Sequence, residues 1–192
     1  MVHGRHDLRP IRIALSGKMR SGKDTLANEL IVRQMFTRVA FADRLKELAA
    51  DLFGASETLK NRALLQALSR KLCEVEPAVW IKYVVDRIPM DRNVVVTDLR
   101  YPNEYHTLKG LGFCLVRIET GDAVRFDRFN ITEGSHSWEE FESLCGHLSE
   151  TALDGAEWRW DIVLVGTMSA EKMYEDVRLM LENLAVLEDA ER

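Results

Sequence analysis

The chain is short of proline, cysteine and positive charge, and each shortage removes a class of answers. Four prolines in 192 residues argue against a proline-rich linker or extended segment. The three cysteines, Cys73, Cys114 and Cys145, lie far apart with no C-x-x-C pair. That excludes a disulfide framework and makes a reducing cytoplasm the expected compartment. Cys114, within Phe113-Cys114-Leu115-Val116, reads as a small buried hydrophobe. Lysine and arginine number 26 against 31 acidic residues, a net charge of −5, which argues against broad binding to nucleic acid or anionic membrane. Any cationic cluster is therefore expected to serve a small anion. No run reaches the roughly 20 apolar residues of a membrane helix, and residues 1–10 are polar without an apolar signal core.

What remains is a globular composition, 46% apolar and 30% charged, with length enough for one well-buried core. Arg12-Ile13-Ala14-Leu15 reads as a buried strand, followed by a helix carrying Leu26, Leu30, Ile31 and Met35 near helical spacing. A second strand is expected over Thr37 to Ala42, with Asp43 capping a helix from Arg44 to about Phe53. Asn61 is placed to cap the next helix, whose face holds Leu64, Leu65, Leu68 and Leu72; Pro77 suits the start of another, with Trp80, Val84 and Ile88. Val94-Val95-Val96-Thr97 has the β-branched character of a strand buried on both faces, and ends on Asp98. A helix over Asn103 to Leu111 leads to a strand from Phe113 to Ile118.

Residues 119–160 read as polar and irregular, apart from a capping box at Ser137-Trp138-Glu139-Glu140. A strand from Asp161 to Val165 and a helix showing Met173, Val177, Met180, Leu181 and Leu184 complete the pattern. Strands alternating with helices predict an α/β fold, a five-stranded parallel sheet flanked by helices. Gly17, Asp43, Asp98 and Glu119 should then emerge at the carboxyl edge, where such sheets bind ligands.

Ser16-Gly17-Lys18-Met19-Arg20-Ser21-Gly22-Lys23-Asp24-Thr25 lies between the first strand and first helix, with the Gly-x4-Gly-Lys spacing of a Walker A loop. Glycines let backbone N–H groups turn onto a polyphosphate, and Lys23 reaches the transferring phosphate. Asp24 stands where Ser or Thr would help hold Mg²⁺, with Thr25 behind it. A carboxylate beside triphosphate is costly unless it faces the metal or orders a water. Lys18 and Arg20 add charge within the loop.

Asp98-Leu99-Arg100 ends a buried strand; the carboxylate can hold Mg²⁺, directly or through water, or accept a proton, and Arg100 can brace a phosphoryl oxygen. Arg125 and Arg128 read either as lid residues that fold over nucleotide or as surface charges. His136 and His147 match no zinc spacing. Trp158 and Trp160 read as packing residues, with base stacking the alternative.

Together, Gly17 to Thr25, Phe41-Ala42-Asp43-Arg44-Leu45-Lys46-Glu47, Thr97-Asp98-Leu99-Arg100-Tyr101-Pro102-Asn103-Glu104 and His147-Leu148-Ser149-Glu150-Thr151-Ala152-Leu153 resemble the bacteriophage deoxynucleoside monophosphate kinases. These belong to a P-loop kinase group that includes phosphomevalonate kinase and shares the Asp after the loop lysine. The resemblance implies a three-layer P-loop kinase fold over a single domain, 1–192, with residues 1–10 a flexible tail. It implies an acceptor-binding helical region at about 43–92 and a lid at about 119–160. ATP would sit on Gly17, Lys18, Arg20, Ser21, Gly22, Lys23, Asp24 and Thr25. The acceptor would meet Asp43, Arg44, Lys46, Arg62, Gln66, Arg70, Trp80, Arg100 and Glu150. Lys23, Asp98, Arg100 and Arg128 would carry the catalysis, and Mg²⁺ would rest on Asp24, Thr25 and Asp98.

Arg44 and Leu148 replace prolines common in the family, and Leu68-Ser69-Arg70 replaces a frequent Leu-Gly-Thr. The implied reaction is γ-phosphoryl transfer from ATP to a deoxynucleoside monophosphate, in the host cytoplasm if phage-encoded; a homodimer is compatible with this. Two alternatives stand beside it: a kinase for a hydroxyl acceptor, such as a hydroxymethylpyrimidine in DNA or a small phosphorylated alcohol, and a nucleotide-hydrolysing switch or assembly factor.

Overall fold

In the computed structural model, residues 10–54 and 61–190 are described, without the side chains of Arg62 and of 185–190. The expected flexible tail thus lies, but for Pro10, outside the described residues. The chain forms two compact units, one from residues up to Arg38 and from Asp91 onward, the other Val39–Met90.

The first unit is built on β1 (Arg12–Ser16), β3 (Val94–Leu99), β4 (Cys114–Glu119) and β5 (Ile162–Val165), and the sheet order is β2-β3-β1-β4-β5, with β2 spanning Thr37–Val39. β1 pairs in parallel with β3 and β4, and β4 with β5. Ile13, Ala14, Leu15, Val94, Val95 and Val96 have no exposed surface, as expected of central strands covered on both faces. The helices of this unit are α1 (Lys23–Gln34), α5 (Pro102–Gly110), α6 (Asp122–Glu133), α7 (Trp138–Cys145), α8 (Leu148–Thr151) and α9 (Ala170–Ala190). α1 and α9 pack together, with Leu26, Leu30, Met173 and Val177 in one core with Ile13, Leu15 and Val116.

Registers fix the functional edge. Ser16 stands opposite Leu99 on one side and Arg117 on the other, and Glu119 lies opposite Val165. The segments after β1, β3, β4 and β5 therefore leave the sheet side by side, at the point where the order reverses about β1.

The second unit contains α2 (Phe41–Phe53), which packs against α3 (Arg62–Val75) and α4 (Val79–Val85). The Asn61 Oδ1 caps α3, accepting from Leu64 N at 2.9 Å, as the sequence predicts.

Three expectations need correction. β2 stops at Val39, and α2 begins at Phe41 with Ala40 at its cap, so Asp43 is a first-turn acid and not the N-cap; there it favours the helix through the dipole. α4 starts at Val79, two residues beyond Pro77. The stretch 119–160 is largely helical. Its apolar content is concentrated in a few aromatic residues, Phe126, Phe129, Trp138 and Phe141, whose rings meet edge-on or tilted at 5.1–5.7 Å. Large rings set among charges supply enough burial to hold α6 against α7 while leaving average polarity high. The capping box at Ser137 and Glu140 is present.

Candidate active site

The loop between β1 and α1 leaves the sheet at Gly17, where φ is 146°. A Cβ there would lie 2.5 Å from the Ile118 carbonyl oxygen and 2.7 Å from Ser21 Oγ, so only glycine fits. Gly22 (φ 112°) turns the chain into α1, and Arg20 adopts φ 61° between them, an αL conformation that costs a non-glycine residue about 1–2 kcal/mol.

The loop's carbonyls hold this shape. Lys23 Nζ donates to Gly17 O at 2.7 Å and Lys18 O at 2.8 Å. Arg125 Nη1 donates to Met19 O at 3.3 Å, Arg128 Nη1 to Arg20 O at 3.1 Å, and Thr120 Oγ1 to Ser21 O at 2.8 Å. Every carbonyl from Gly17 to Ser21 thus accepts from a side chain. Because N–H and C=O point in opposite directions across a planar trans peptide, pinning these carbonyls also fixes the amides of residues 18–22, of which Met19 N is held by Glu150 and Ser21 N by Lys18 O.

Lys23 is buried, and burial is the main reason its pKa falls to about 8; Arg100 and Arg117 lower it further, opposed by Glu150 and Asp24. Arg100 Nη1 donates to Ser149 O at 3.1 Å and forms a close ion pair with Glu150. Burial alone would lower the Arg100 pKa, but the Glu150 carboxylate outweighs it and raises the value. The other Glu150 oxygen accepts from Met19 N at 2.6 Å, tying α8 to the loop. His147 caps that short helix, its Nδ1 accepting from Ser149 N at 3.1 Å.

The Arg100 turn is set by Glu104, whose Oε2 accepts from Arg100 N at 2.8 Å and Tyr101 N at 3.0 Å. Burial drives the Glu104 pKa up to about 8, helped by the nearby Asp98 and opposed by the two backbone donors and Arg100. Asp98 itself is half-buried at the end of β3.

A cleft of about 310 Å³ opens beside the loop, lined by Arg20, Ser21, Gly22, Lys23, Asp24, Thr25, Arg128 and Thr132. Asp24 and Thr25 are exposed there. The structure therefore places Arg128 beside Lys23, Asp24 and Thr25, with its Nη2 on Gly166 O at 2.7 Å. Arg20 pairs with Glu133, and Lys18 with Asp154 at 2.9 Å. Arg125, read as a lid residue or surface charge, is fully buried. It pairs with Asp122 at 2.6 Å and lies 5.2 Å from the Phe141 ring, so its guanidinium braces the loop from within. Trp158 and Trp160 pack edge-on against Tyr105 at 5.0 and 5.4 Å.

The remaining expected acceptor residues belong to the second unit. Asp43, Arg44 and Lys46 lie on α2, Gln66 and Arg70 on α3, and Trp80 on α4. Arg44 pairs with Glu47 at 3.2 Å, and Trp80 Nε1 donates to Ser69 Oγ at 3.0 Å. Arg62 opens α3, but its side chain lies outside the described residues.

Solved structures share the fold over nearly the whole chain. A gluconokinase from Sinorhizobium meliloti superposes with a TM-score of 0.62 at 14% identity, covering 95% of this chain and 97% of its own. An APS kinase from Mycobacterium tuberculosis, solved with AMPPNP and APS, gives 0.52 at 15% identity, with 91% and 98% covered. A sugar kinase from Janibacter gives 0.51 at 17%, with 90% and 95% covered. The fold is that of the P-loop kinases. No family model and no curated protein matches the sequence.

Sequence reading missed Arg117, Thr120, Glu133 and Asp154 as members of this site. Arg117 carried one signal, a charge in the otherwise apolar run Cys114-Leu115-Val116-Arg117-Ile118. No periodicity marks the others.

Proposed function

We propose that the chain is a phosphotransferase that moves the γ-phosphoryl group of ATP to a deoxynucleoside monophosphate. The observation that carries the phosphotransfer reading is the loop itself: carbonyls pinned from Gly17 to Ser21, with a buried Lys23 at its centre. Such a cradle suits a polyphosphate. The acceptor class rests on the sequence resemblance carried by the segments around Asp43, Asp98 and Glu150.

In the reaction the bond from the γ-phosphorus to the β,γ-bridging oxygen breaks. A bond from an acceptor phosphate oxygen forms, and ADP leaves with the electron pair. Catalysis of this kind depends on positioning and charge stabilisation. Lys23, Arg100 and Arg128 supply positive charge, and the loop amides supply oriented donors. An ionised monophosphate needs no strong base, so Asp98 positions groups by its charge beside Arg100. An alcohol acceptor would instead require Asp98 as base.

Mg²⁺ fits the donors present. Asp24 and Thr25 offer hard oxygen atoms at the wall of the cleft, and Mg²⁺ is ordinarily held by one or two such groups together with substrate phosphates. When bound it would neutralise charge on the β- and γ-phosphate oxygens.

The test is a coupled ADP-release assay with ATP, Mg²⁺ and each deoxynucleoside monophosphate in turn. At least one should accelerate ADP formation well above the ATP-only rate. Acceleration by none of them, with turnover on a hydroxyl acceptor that collapses in Asp98→Asn, would replace this acceptor class by the alcohol one.

A further inference from the structure

Arg117 is a charged residue on a central strand, 7% exposed, and its contacts converge on the foot of the loop. Its Nη1 donates to Ser16 Oγ at 3.2 Å, its Nη2 to Asp154 Oδ1 at 2.6 Å, and its guanidinium lies 5.6 Å from the Trp160 ring centre. The second Asp154 oxygen takes Lys18 Nζ at 2.9 Å. One carboxylate therefore neutralises a cation of the sheet and a cation of the loop.

Arg100 is answered in the same way by Glu150, from the same short stretch of chain. Arg100, Arg117, Glu150, Ser16 and Gly17 line one slot at the foot of the loop.

The two carboxylates differ in one respect. Glu150 is 7% exposed and also holds Met19 N, whereas Asp154 is 33% exposed on the turn after α8 and Lys18 is 30% exposed. A buried arginine needs a counter-charge. A half-exposed aspartate is a weak one, because ion pairs open to water contribute little. A phosphate carries more charge and more acceptor oxygens, and it matches the bidentate fork of arginine.

We propose that Arg117 and Lys18 form the seat of the acceptor's phosphate, and that Asp154 is the exchangeable counter-ion which that phosphate displaces. The proposal deepens the phosphotransfer reading and rests on it. It differs in consequence from a purely structural Arg117–Asp154 bridge. Removing the Asp154 charge should strengthen anion binding, whereas loss of a structural bridge would weaken it or leave it unchanged.

The experiment uses the full chain saturated with Mg²⁺ and AMPPNP, so that the nucleotide loop is filled, titrated calorimetrically with inorganic phosphate. Asp154→Asn should bind phosphate several-fold more tightly than wild type, and Arg117→Met about tenfold or more weakly. The KM for the monophosphate should follow in both variants while the KM for ATP moves far less. If Arg117→Met fails to fold, Lys18→Met, altered at a partly exposed position, must show the weakening. Phosphate affinity unchanged or reduced in Asp154→Asn, or unchanged in both Arg117→Met and Lys18→Met, overturns the seat and leaves phosphotransfer standing. Failure of AMPPNP to bind wild type at all would remove the phosphotransfer reading, and this inference with it.

Discussion

Replacing Lys23 by Met separates the cost of burying a charge from the use made of it. In the fold the pKa falls from its ordinary 10.5 to about 8. At about 1.4 kcal/mol per pH unit, this means that folding disfavours the charged amine by about 3 kcal/mol relative to the unfolded chain. Methionine removes that penalty. It also removes the bonds to Gly17 O and Lys18 O, roughly 1.5–3 kcal/mol each for a charged donor. The two effects largely offset, so Lys23→Met should lose less than about 3 kcal/mol in urea denaturation. Turnover has no such compensation and should fall by about 10²–10³.

The pH dependence follows with a definite sign. The folded pKa lies below the unfolded one, so wild-type stability should rise between about pH 8 and 10.5. The variant should lack that rise. In catalysis, wild-type kcat/KM for ATP should decline above about pH 8 as free Lys23 loses its proton. The kcat profile should break at higher pH, since bound triphosphate favours the charged amine. A Lys23→Met enzyme with turnover within a few-fold of wild type would refute the reasoning.

Three further outcomes are expected. Glu104 has a folded pKa of about 8 against 4.5 ordinarily, so its contribution is fully present below pH 4.5 and is lost as pH rises through 8. Glu104→Gln should therefore gain stability relative to wild type between pH 5 and pH 8, by about 1 kcal/mol or more, and parallel stability curves for the two would count against it. Gly17→Ala drives a Cβ against the Ile118 carbonyl, whereas Gly134 (φ 98°) has open space around its Cβ position. AMPPNP binding should be lost in the first, while Gly134→Ala, strained at φ 98° and ψ −177° but free of contacts, should keep it and cost about 1–3 kcal/mol in thermal unfolding. Glu150→Gln removes the charge that pairs with Arg100 but keeps an acceptor for Met19 N. It should lower kcat at least tenfold with modest loss of stability, and an unchanged kcat would show that Arg100 needs no such alignment.

The loop was legible because its determinants are local. Apolar Ile13 to Leu15, the glycines at 17 and 22, and helix-forming residues after Lys23 each dictate their own backbone. The valines of β3 and the spacing of Met173 and Val177 declared the layers in the same way. The helices of 119–160 were hidden because a few aromatic contacts, not a regular apolar stripe, hold them.

Sequence by itself determined that a glycine-rich loop of Gly-x4-Gly-Lys spacing sits between a buried strand and a helix, with charged residues at the ends of neighbouring strands. Only the tertiary structure decided what holds that loop in shape. Arg125, Arg128, Thr120 and Glu150 reach it from 99 to 131 residues away, and Asp154 joins Lys18 to Arg117. Such partners share no periodicity and no motif spacing. The sheet order and parallel register bring them to one edge, and burial there makes a single charge or hydrogen bond consequential in a way that sequence spacing does not reveal.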